Sequence, residues 1–63
     1  MISVSEMKKA IGKRVRLTFT DGELWEGQCI CYQQPEENDE EPMLEFEHEL
    51  VYQSQIKKLE ILD

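Results

Sequence analysis

The sequence predicts a mainly β fold: a short N-terminal helix capping a five-stranded, strongly bent antiparallel sheet, rolled into a small barrel. Three observations carry this. Val15, Leu17 and Phe19 alternate with Arg14, Arg16, Thr18 and Thr20, the period of a half-buried strand. Asp21-Gly22 follows at once and is a strong hairpin signal, because glycine tolerates the positive φ that a tight turn demands. Gly27 then interrupts the second strand where a small barrel needs a sharp bend.

The elements follow in order. Ser3 and Glu6 have capping-box spacing, so a helix starts there. Val4, Met7 and Ile11 fall on one helical stripe, with Lys8 and Lys9 outside it, and Gly12 is placed as the C-terminal cap. A helix this short is not stable alone and must pack on the sheet. The first strand is read over 13–20 and the second over 23–32. In the second, Trp25, Gly27, Cys29 and Cys31 share one face, and Leu24, Ile30 and Tyr32 the other. Apolar residues on both faces point to a bent strand or a neighbouring subunit. Trp25 reads as a core or interface anchor rather than a ligand platform.

Residues 33–42 hold two prolines and five carboxylates and read as a solvated loop; their spacing is not that of a calcium loop. Met43 to Glu47 is the third strand, His48-Glu49 a tight turn or a bend, and Leu50-Val51-Tyr52 a short fourth strand. Gln53-Ser54-Gln55 reads as a single tight helical turn. The last strand covers 57–62, with Leu59 and Ile61 inward and Ile56 and Leu62 toward the other side. Residues 1–63 form one domain without internal repeats.

Composition narrows the function classes. The net charge of −7 disfavours nonspecific nucleic-acid binding, which depends on neutralising phosphates. The charge is also segregated. All seven basic residues lie at the two ends, at 8, 9, 13, 14, 16, 57 and 58, and none falls between Asp21 and Ile56. Cys29 and Cys31 sit in one strand with spacing unsuited to a disulfide, and read as small buried hydrophobes in a reducing compartment; metal binding and a reactive thiol are the alternatives. His48 is the only histidine, and a zinc ligand set is missing. No cofactor, metal or small-molecule substrate is expected. No stretch has the length of a membrane helix and the opening residues lack a signal-peptide pattern, so no membrane association and a cytoplasmic location are expected. Catalysis is not expected either: His48 lacks a matched nucleophile, and the carboxylates crowd an exposed loop.

A helix followed by five short strands, with Gly-Lys-Arg-Val-Arg-Leu-Thr-Phe-Thr-Asp-Gly over 12–22 and a further glycine at Gly27, resembles the Sm-like family of small barrels. The resemblance runs from about Ser3 to Leu62. It rests on Val15, Leu17, Phe19, Gly22 and Gly27 in the first two strands. It implies a ring, usually of six or seven subunits, closed by pairing the fourth strand of one copy with the fifth of the next. The family's RNA-binding loops are not reproduced. Gln33 stands at the position of the usual Asp, Met43-Leu44 where a Met-Asn pair is usual, and Asn38 is out of register. Gln53-Ser54-Gln55 replaces the Arg-Gly or Lys-His of the second loop. Single-stranded recognition needs an aromatic platform together with a basic phosphate contact, and neither loop supplies both.

The expectation is therefore a non-enzymatic, self-associating interaction or scaffold module. Leu50, Val51, Tyr52, Lys57, Leu59 and Ile61 are its candidate interface. A second expectation is RNA binding through a basic face formed by Lys8, Lys9, Lys13, Arg14 and Arg16. A third is an acidic decoy whose carboxylates over 36–49 occupy a partner's basic surface.

Overall fold

A computed structural model of the chain describes residues 2–62; Met1 and Asp63 lie outside the described residues. One short helix and a five-stranded antiparallel sheet make up the fold. The elements are α1 (Val4–Lys9), β1 (Arg14–Phe19), β2 (Leu24–Gln33), β3 (Met43–Phe46), β4 (Leu50–Tyr52), a 3₁₀ turn (Gln53–Gln55) and β5 (Ile56–Ile61). The strands are ordered β4-β3-β2-β1-β5. β2 carries both halves of the sheet, pairing with β1 through its first residues and with β3 through its last. β4 and β5 are the two edges and do not pair with each other, so the sheet is not closed.

The capping box at Ser3 is present: the Ser3 hydroxyl accepts the Glu6 amide, and the Glu6 carboxylate receives the Ser3 amide. The helix ends earlier than the sequence suggests. Ala10 is its C-cap, and Gly12, at φ +78°, serves instead to turn the chain into β1. This shifts the buried stripe. Met7, Ala10 and Ile2 are buried against the sheet, whereas Ile11, one residue past the cap, is exposed.

The first hairpin closes with a three-residue loop. The Phe19 amide donates to the Glu23 carbonyl at 2.8 Å, Gly22 has φ +93°, and the Asp21 carboxylate accepts the Glu23 amide at 2.9 Å. The second hairpin turns on Glu47-His48 rather than on His48-Glu49, because the Phe46 amide donates to the Glu49 carbonyl at 2.8 Å.

Two bulges set the faces of the sheet, and both correct the sequence reading. In β2 the register against β3 shifts between Cys29 and Cys31. Cys29 stays opposite Phe46 and points into the core. Cys31 lies opposite Glu45, on the outer face, and Tyr32 returns inward opposite Leu44. In β5 the register against β1 shifts at Thr18/Phe19, which brings Ile56 opposite Phe19. Ile56 is therefore fully buried, although simple alternation from Leu59 and Ile61 puts it outside. Ile61 does lie opposite inward-facing Val15, but at the strand's end it stays exposed.

One core results, with Val15, Leu17, Cys29, Leu44, Phe46, Val51 and Ile56 packed in one cluster with Met7 of the helix and Ala10 at its C-cap. Residues from both halves of the sheet meet in this single cluster, which requires the sheet to curl around it.

Candidate interaction surfaces

The edge strands offer the first surface. Phe46 and Glu49 are hydrogen-bonded across the second hairpin, so the antiparallel alternation turns the main chain of Leu50 and Tyr52 toward the free edge of β4. The Tyr52 amide is already taken there, by the Gln55 side-chain carbonyl at 2.9 Å. On β5, the Leu62 amide donates to the Arg14 carbonyl at 2.8 Å, and the same alternation turns the main chain of Leu59 and Ile61 outward. Both edges carry exposed apolar side chains: Leu50 is 55% and Tyr52 45% accessible on one, Ile61 41% and Leu62 39% on the other. Of the remaining sequence candidates, Lys57 is exposed and Leu59 half-buried against the core, while the Val51 side chain belongs to the chain's own core.

The basic residues do not form one open patch. The Arg16 guanidinium makes two contacts with the Glu26 carboxylate, each at 3.0 Å, and Arg14 lies 3.8 Å from the same group. This pairing follows from register, since Arg16 stands directly opposite Glu26 on the outer face. Lys8 sits over the Tyr32 ring, 5.6 Å from its centroid. Lys9 and Lys13 are exposed.

The acidic loop is tied down at its end. The Glu41 carboxylate receives the Ser54 amide at 2.7 Å and its hydroxyl at 3.1 Å, and the Gln53 amide donates to the Pro42 carbonyl at 2.9 Å. The Gln53 side chain in turn donates to the Ile2 carbonyl at 2.7 Å, linking the 3₁₀ turn to the start of the helix.

Neither cysteine is disulfide-bonded. Burial pushes the Cys29 thiol up to about 11, with Cys31 adding to the shift. The Cys31 thiol is raised chiefly by donating to the Glu45 carboxylate at 3.2 Å. The Gln33 amide bridges the same carboxylate at 2.7 Å. Both thiols are thereby held in the neutral, weakly nucleophilic form. Among the described residues, no group of three or more His, Cys, Asp or Glu side chains is placed to hold a metal ion.

The remaining surface is a cleft that the linear sequence does not announce. The Trp25 and Phe46 rings meet edge to face, 4.7 Å between centroids at 82°. The Trp25 six-membered ring fills the space where Gly27 lacks a side chain; an added Cβ would lie 2.8 Å from Cζ3. Gly27 is thus needed as the seat of the indole. Around this pair and the Glu47-His48 turn lies a cleft of about 300 Å³, lined by Trp25, Gly27, Phe46, Glu47 and Glu49 among others. A groove of about 570 Å³ on the β3–β4 side and a hollow of about 190 Å³ against Phe19 and Val51 adjoin it, and Glu49 lines all three.

No family model matches the chain, and no curated protein or solved structure matches it. Among the described residues, no helix is long and apolar enough to cross a membrane.

Proposed function

We propose that this chain is a non-enzymatic Sm-like interaction module that self-associates head to tail, β4 of one copy pairing with β5 of the next until a ring closes. The observation that supports this reading is the pair of unpaired edges at opposite ends of an unclosed sheet. Each edge presents outward main chain flanked by exposed apolar residues, Leu50 and Tyr52 on one side, Ile61 and Leu62 on the other. An edge of this kind is a template for another strand, and two different edges on one molecule make a heterologous contact that can close into a ring. The element order, one short helix followed by five antiparallel strands, supports the resemblance. RNA binding through the basic face draws less support, because Glu26 holds Arg16 and lies beside Arg14.

Light scattering after size exclusion tests the reading. The expected mass is a fixed multiple of the 7.5 kDa chain, maintained on dilution. A mass of one chain at all concentrations would overturn it.

A further inference from the structure

We infer that the Trp25–Phe46 cleft is a docking site for an arginine-bearing extended peptide of a partner protein. Three features of one place converge. The wall carries the half-buried Trp25 ring, backed edge-on by the buried Phe46, and a guanidinium plane stacks on such an indole. The rim carries the exposed Glu47 and Glu49, so carboxylates are available for the forked N–H donors of arginine. The three cavities around the turn are lined by no Lys or Arg, and the chain has none anywhere between Asp21 and Ile56. A cationic group entering here therefore meets no lysine or arginine of the protein on the walls; the one basic side chain there is His48, whose Nε2 lies 3.7 Å from Glu47 Oε1.

The surroundings favour an extended peptide over an isolated cation. The half-buried Met43 lines the adjoining groove and the half-buried Phe19 the hollow, so apolar surface continues on both sides of the charged rim. A segment with apolar residues two positions before and two positions after an arginine would bring all three side chains to one face, the cation to the cleft and the apolar side chains to this surface. Other small cations would fill about 300 Å³ less completely and would leave that apolar surface wet. All lining residues come from one copy, so the inference does not rest on self-association.

Trp25 is the chain's only tryptophan, so its fluorescence reports directly on the cleft. The probe is the blocked pentapeptide acetyl-Val-Ser-Arg-Ser-Val-amide, titrated into the full chain at low salt. The expected result is a saturable change in Trp25 emission, with affinity lowered about tenfold or more in the Glu47→Gln/Glu49→Gln double variant. The same number of charges removed from the loop, in Glu36→Gln/Glu37→Gln, should change the affinity less than about twofold. Both pairs of glutamates are exposed, so both variants should fold. Three results would overturn the inference: no saturable change, equal weakening in the two double variants, or a response to oligouridylate in place of the peptide. Titrating an Ile61→Lys variant in parallel separates this outcome from that of self-association: Ile61 is exposed on the β5 edge and lines none of the three cavities, so the cleft should bind with equal affinity there.

Discussion

Gly27 shows how a residue that the sequence marks as special can carry a role visible only in the packing. Its place in the second strand suggests a bend, and the structure adds a packing role that the sequence does not announce. What Gly27 supplies is room for the Trp25 ring. Gly27→Ala should therefore displace the indole and cost about 1–3 kcal/mol, as overpacking of a filled site does. Urea denaturation measures this, and repeating it in a Trp25→Leu background isolates the cause. The cost should largely vanish there, and a cost unchanged by that background would mean the glycine is needed for its backbone instead. Cys29 makes a second residue-level prediction, on pH. Its thiol is raised from 9.0 to about 11 by burial, so the folded state resists ionisation that the unfolded chain permits. A folded pKa above the unfolded one gives stability that is complete below pH 9 and is lost as pH rises through 11. The stability gap between the natural chain and Cys29→Ala should narrow over that window. A gap that stays constant from pH 8 to pH 11 would contradict it.

At the scale of elements, what the sequence disclosed and what it hid divide along a physical line. Local signals were legible. The Ser3–Glu6 capping box, the alternation of Val15, Leu17 and Phe19, the fourth strand at Leu50–Tyr52 and the 3₁₀ turn at Gln53–Gln55 all stand where their own residues put them. The faces of β2 and β5 were not legible beyond the bulges, because a bulge is decided by the partner strand. Cys31 and Ile56 changed sides for that reason. The cleft was invisible for a related reason. It joins Trp25 to a turn more than twenty residues away, and the only trace of it in the linear chain is the stretch without cations. The acidic loop illustrates the same limit. Composition marks it as solvated, yet Glu41 is committed to the Ser54 amide and hydroxyl. It therefore caps the turn that leads from β4 to β5. Glu41→Ala should lower stability by about 0.5–2 kcal/mol, the range for losing such a cap, whereas Glu40→Ala next to it should have little effect. Thermal melts of the two variants, measured side by side, check the difference.

The whole molecule is small enough that its edges matter to its stability. A chain of 63 residues buries only about 60% of the surface its unfolded form exposes, so its own core is marginal. Phe19, Trp25 and Leu59 remain only partly covered by that core, and apolar side chains flank both free edges. Association through those edges would cover surface that the single chain leaves wet. It would also tie folding to concentration, because whatever binds only the folded state stabilises it by mass action. Leu50→Lys tests this directly. Leu50 is exposed, so the substitution leaves the core intact, but it places a cation on the β4 edge. In the proposed pairing that edge meets the strand bearing Lys57 and Lys58, and the like charges oppose docking. The expected outcome is a folded protein with the mass of one chain and a melting temperature independent of concentration, against a melting temperature that climbs with concentration for the natural chain. If Leu50→Lys instead retains the natural chain's mass and its concentration dependence, association does not run through β4, and the ring built on that edge is wrong.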